Sequence, residues 1–113
     1  LTFPERLPLD TPRLSFDTLG HLDFSAPDLQ RFPCLSLAYH ALLQGGNIPC
    51  TLNAANEVAV SAFLCDRISF THIPVVIEKT MLSIPFISNP TLSQIHQTDS
   101  QARLMAQNLL NTF

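Results

Sequence analysis

The chain predicts a mainly α-helical fold, a C-terminal four-helix-bundle-like domain preceded by an extended, proline-rich arm with short β-strands. Three observations lead there. Four of the nine prolines (Pro4, Pro8, Pro12, Pro27) crowd the first 27 residues and exclude helix from them. Beyond Pro27, apolar residues recur at the three- and four-residue spacing of helices. Gly45–Gly46, Pro85 and Asn89–Pro90 then cut that periodic stretch into helix-sized lengths. The expected organisation is a linker arm at 1–27 and a helical bundle at 28–113.

In the arm, Arg13–Asp17 and His21–Ser25 are expected as short strands. Leu14 and Phe16 share one face, Leu22 and Phe24 another, and Gly20 lies between. Two strands are marginal alone, so the arm is expected to lie against another surface. The first bundle helix is expected from Pro33, a residue preorganised for an opening turn, to the Gly45–Gly46 stop. Leu35, Ala38, Tyr39, Leu42 and Leu43 fall on one arc and predict its buried face. A second helix, Thr51 to Asp66 with Thr51 as N-cap, is apolar nearly all round, which predicts a central position.

Ser69 or Thr71 is expected to cap a third helix through Pro74, Val76, Ile77 and Met81, stopping before Pro85. The segment IPFISNP reads as a loop, followed by a short helical turn from Thr91 to Ile95. Thr98 or Asp99 is expected to cap the last helix. There Ala102, Met105, Ala106, Leu109, Leu110 and Phe113 share an arc of about 140°, and Leu104 sits among the polar residues opposite.

Composition excludes several classes of function. The content is 46% hydrophobic and 13% charged, too apolar for a disordered polymer. So few charges also predict that some of the surface meets other protein. A net charge of −3, with six Lys and Arg scattered along the chain, gives no nucleic-acid footprint. No apolar run approaches the ~20 residues of a membrane span. Cys34, Cys50 and Cys65 lack CxxC spacing, and their apolar neighbourhoods predict reduced, packed thiols. The opening LTFPERLPLD, without an initiating Met, is expected to be the interior of a longer polypeptide.

No motif carries chemistry. The four histidines show no HxxxH or HExxH spacing, and there is no dinucleotide loop, phosphate loop or GxSxG elbow. Catalytic, cofactor-binding and metal-binding residues are therefore expected to be none. The one polar knot is Asn53, Asn56 and Glu57, at i, i+3 and i+4 in the second helix. It can be a ligand clamp or a structural network; no second acid or base adjoins it in sequence, so it is expected to be structural, with Asn56 buried beside Leu52 and Phe63.

The run Leu52–Ile73, LNAANEVAVSAFLCDRISFTHI, resembles the signature near the C-terminus of the 1-deoxy-D-xylulose 5-phosphate reductoisomerase family. Leu1–Leu9 (LTFPERLPL) is similar to that family's entry into its linker. Leu22–Leu42 (LDFSAPDLQRFPCLSLAYHAL) is similar to its strand, APD turn and first bundle helix. The resemblance implies the linker and helical bundle of an NADPH-dependent enzyme of non-mevalonate isoprenoid biosynthesis, which forms 2-C-methyl-D-erythritol 4-phosphate. It implies that NADPH and Mg2+ or Mn2+ belong to the intact enzyme and not to this stretch. The implied partners are the catalytic and NADPH-binding domains of the same polypeptide, in a homodimer. The implied compartment is the cytoplasm, or a plastid-type compartment in a eukaryote. By this reading the chain alone is inactive and braces the catalytic domain. The alternative is an autonomous helical protein-interaction module.

Overall fold

The computed structural model describes residues 2–113; Leu1, the first residue of the expected arm, lies outside them. In order come α1 (Phe16–Leu19), α2 (Pro33–Gln44), α3 (Ile48–Leu64), α4 (His72–Ser83) and α5 (Leu92–Leu110), and no strand occurs among the described residues. The central helix is α3, which packs on α2, α4 and α5. Its alanines Ala54, Ala55, Ala59 and Ala62 are buried, as are Ala102 and Ala106 of α5. Small side chains let helix axes approach, and larger ones (Ile73, Val76, Ile77 and Met81 of α4, Leu110 of α5) fill the remaining space.

The helix ends explain the registers. Pro33 occupies the first turn of α2, and Gly45, at φ 68°, ends the helix with its N–H donating to the Ala41 carbonyl. The start of α3 is Ile48, three residues earlier than expected. Thr51 is not its cap but a wholly buried first-turn residue whose hydroxyl donates to the Asn47 carbonyl at 3.1 Å. Asp66, at φ 56°, closes α3: the Arg67 N–H donates back to the Ala62 carbonyl and the Asp66 N–H to that of Phe63. Aspartate tolerates this left-handed conformation better than most residues.

For α4 the helix begins at His72, and the Thr71 side chain makes no capping bond. Its hydroxyl instead meets that of Ser69 at 3.0 Å. The expected break before Thr98 does not exist. Thr91 and Gln94 form a capping box, and α5 runs unbroken from Leu92 to Leu110. Thr98 is 2% exposed and bonded to Asn47, so its hydroxyl serves a contact between elements and not a cap. Leu104 is exposed on the far side, as its register predicts. Phe113 lies past the helix end, stacked on the His72 ring at 4.4 Å.

Two expectations are corrected. Residues 13–17 and 21–25 do not form strands; Phe16–Leu19 make one helical turn instead, and no residue from 2 to 32 is buried. A two-strand ladder needs a third partner or a covering layer, and the described residues supply neither. The radius of gyration, 19.1 Å, exceeds the ~13 Å of a compact chain of this length because the arm projects from the bundle.

The second correction concerns α2, whose apolar arc faces the wrong way for burial against this bundle. Leu35, Ala38, Tyr39, Leu42 and Leu43 are exposed, while Ala41 is buried and Pro33 and Leu37 are half-buried on the opposite side. Periodicity locates an apolar stripe, but it does not say which neighbour the stripe meets.

Candidate functional site

Asn53 and Glu57 stand one turn apart on the exposed side of α3. The Asn53 amide donates to the Glu57 carboxylate at 3.0 Å. The other Glu57 oxygen accepts from the Arg103 guanidinium at 2.8 Å, and Arg103 donates through Nε to Asp99 at 2.8 Å. The hydrogen bond from Arg103, followed by that from Asn53, holds the Glu57 carboxyl below its ordinary range. The two carboxylates hold the guanidinium firmly protonated. Every charge here has an opposite partner, and a carboxylate kept ionised by an arginine is a poor proton donor.

Asn56 stands apart from this chain of contacts. It is half-buried, and its amide bonds to neither Asn53 nor Glu57. The structure therefore joins Asn53 and Glu57 to Arg103 and Asp99, two residues of α5 that sequence reasoning did not single out. The Glu57–Arg103 separation of 46 positions hides that link from any local pattern.

A second polar cluster is buried and centres on Asn47. The residue is wholly inaccessible, and its Nδ2 donates to the Pro85 carbonyl at 2.9 Å and to the Thr98 hydroxyl at 3.2 Å. Its Oδ1 accepts from the Ile87 N–H at 2.9 Å, and its own N–H donates to the Ile87 carbonyl at 3.1 Å. One side chain thus fastens the turn before α3 to the α4–α5 connection and to α5. Gly46 is required beside it: its φ is 58°, and an added Cβ would come 2.3 Å from the Ile87 carbonyl oxygen. The sequence signal for Asn47 was its place after Gly45–Gly46 and before Ile48–Pro49, where a polar residue between a helix stop and a helix start has backbone groups to satisfy.

The remaining titratable groups do not assemble. Among the described residues no three of His, Cys, Asp and Glu stand together as a metal site. Glu57 and Asp99 are spent on Arg103, so they do not form a divalent-cation site, and Gly46, though not Gly45, lies against Phe86 and Ile87. Cys34 and Cys65 are exposed and not packed as expected; only Cys50 is half-buried, its thiol donating to the Ile95 carbonyl at 3.5 Å. Burial, then the Asp99 charge, pushes the Cys50 thiol up, which keeps it protonated. A groove of about 260 Å3 between the starts of α2 and α4, lined mainly by Phe32, Pro33, Phe70, Ile73 and Pro74, carries no acid–base pair. Among the described residues no helix is long and apolar enough to cross a membrane.

Comparison with known proteins agrees in sequence and in fold. The family model described as the DXP reductoisomerase C-terminal domain matches residues 1–105. The 1-deoxy-D-xylulose 5-phosphate reductoisomerase of Cellvibrio japonicus is 48% identical over 110 residues, 97% of this chain and 28% of that protein. That of Nitrosomonas europaea is 49% identical over 97% of this chain and 27% of its own length. The solved reductoisomerase of Zymomonas mobilis in complex with NADPH superposes with a TM-score of 0.85 at 38% identity, covering 98% of this chain and 29% of that one. A reductoisomerase structure with NADPH, fosmidomycin and magnesium gives 0.84 at 34% identity, over 97% of this chain and 29% of that one. This chain thus spans little more than a quarter of the relatives it matches.

Proposed function

The chain belongs to the 1-deoxy-D-xylulose 5-phosphate reductoisomerase family, matching its C-terminal domain, and from that premise we propose that it is the structural end of such an enzyme. The whole enzyme converts 1-deoxy-D-xylulose 5-phosphate to 2-C-methyl-D-erythritol 4-phosphate with NADPH and a divalent cation. Those ligands bind in the remainder of the polypeptide, and this chain is inactive by itself. Residues 1–27 are the linker arm and residues 28–113 the bundle. The bundle braces the catalytic domain of the same polypeptide in a cytoplasmic homodimer. The arm's apolar positions gain cover, and its extended segments gain strand partners, only against that larger body.

The observation that carries this reading is the family match, joined by polar side chains that are bonded to one another across the bundle. Asn47 and the Glu57–Arg103 pair hold helices and loops to one another, while Asn53 and Asp99 bond to that pair from within their own helices. Such groups fix geometry. Asn53 and Glu57 are accordingly structural, with Glu57 tying α3 to α5; Asn56, half-buried in the same helix, takes no part in their bonds. The test removes residues 28–113 from the intact enzyme and follows activity and thermal unfolding of what remains. A fall in both is expected; full turnover with an unchanged melting temperature would overturn the bracing role.

A further inference from the structure

The outer face of α2 is a surface without a covering partner. At 100° per residue Leu35, Tyr39, Leu42 and Leu43 lie within an arc of about 100°, opposite the Pro33–Leu37–Ala41 edge that meets the bundle. Leu42 is 73% exposed and Leu43 87%. No Asp, Glu, Lys or Arg occurs anywhere in the twelve residues of α2. A helix face that stays in water carries charge; an uncharged, continuous apolar face is made to be covered by protein.

What covers it follows from the rest of the chain. Phe16, Leu22 and Phe24 of the arm are exposed too, as are Leu29 and Phe32, so along the sequence a strip of exposed apolar residues runs from the arm to α2. The strip leads back along the arm toward the side on which the relatives carry the remainder of their length, because the matched region is their C-terminal domain and 28% of the Cellvibrio protein. We propose that the Leu35–Tyr39–Leu42–Leu43 face of α2 is the docking surface for the domain that precedes the arm in the intact polypeptide. It meets an apolar, uncharged patch of that domain. This rests on the bracing role and specifies which of the bundle's faces performs it.

Thiol labelling separates the two claims. Leu42→Cys and Leu104→Cys are introduced singly into the intact polypeptide and into the 113-residue chain, and maleimide labelling is read site by site by peptide mass mapping. Both positions are exposed in the chain alone, so both substitutions are tolerated there, and melting temperatures within about 2 °C check this. Labelling at position 42 is expected to slow at least tenfold in the intact polypeptide, while position 104 changes less than threefold. Protection at 104 without protection at 42 would sink this face and leave the bracing role standing. Protection at neither would also sink this face, and the bracing role would then stand or fall with the truncation of residues 28–113. Slow labelling at 42 in the 113-residue chain that speeds up on dilution would assign the face to a second copy and overturn the proposal.

Discussion

Replacing Asn47 by alanine removes three side-chain hydrogen bonds at a site closed to water. The Ile87 N–H, the Pro85 carbonyl and the Thr98 hydroxyl lose their partner together. Each such bond contributes a net ~0.5–1.5 kcal/mol, and a buried group left unpaired costs ~1–3 kcal/mol, so a loss of about 3 kcal/mol is expected. Against a total of ~5–15 kcal/mol for a domain, that is a large share of the margin. Urea unfolding followed by far-UV circular dichroism reads it. With a slope of roughly 2 kcal/mol per molar, the midpoint falls by about 1.5 M. Asn47→Asp should be at least as damaging, since it keeps the acceptor for Ile87 but puts a carboxylate against the Pro85 carbonyl in a buried site. Asn53→Ala is the control: it loses one exposed bond to Glu57 and should stay within about 0.5 kcal/mol of the parent. If Asn47→Ala proves as mild as Asn53→Ala, the buried network does not hold the helices as described.

Gly46→Ala should cost about 2–4 kcal/mol, because a left-handed backbone and a clash with the Phe86 ring and Ile87 carbonyl add together; a urea midpoint equal to the parent's would refute both. Leu110→Asp should unfold or nearly unfold the chain, since Leu110 is 7% exposed, whereas Leu104→Gln, at a position 61% exposed, should shift thermal melts by no more than a degree or two. The Glu57 carboxyl titrates lower when folded than its ordinary value of 4.5, so its contribution is fully present above that value and is lost as the pH falls through the lowered one. The difference in melting temperature between the parent and Glu57→Gln should be constant above pH ~5.5 and vanish in stronger acid; a difference independent of pH would argue against the ion pair with Arg103.

The helical character of the bundle and most of its helix ends were legible because periodicity and stop signals agree there. Gly45–Gly46 and Pro85 ended helices where they should, and the near-circumferential apolar content of α3 marked it as central. What failed were choices between equivalent local signals. Thr51, Thr98 and Asp99 all have cap chemistry, but Thr51 and Thr98 are held by Asn47 and Asp99 by Arg103. The arc of α2 was correctly identified as apolar, but periodicity does not say which surface a stripe meets, and here the stripe lies exposed. The α3–α5 ion pair and the Asn47 network join residues 46 and 38–51 positions apart, beyond the reach of any spacing rule. Family resemblance supplied what the residues did not, namely the family and this chain's match to its C-terminal domain.

Calorimetric titration of NADPH into the 113-residue chain, with Mg2+ present, tests that division of labour most directly. No saturable heat is predicted, because Glu57 and Asp99 are paired with Arg103 and no three metal-ligating side chains stand together among the described residues. A saturable isotherm with a micromolar Kd and one site per chain would contradict it, and would place part of the cofactor site in the helical bundle.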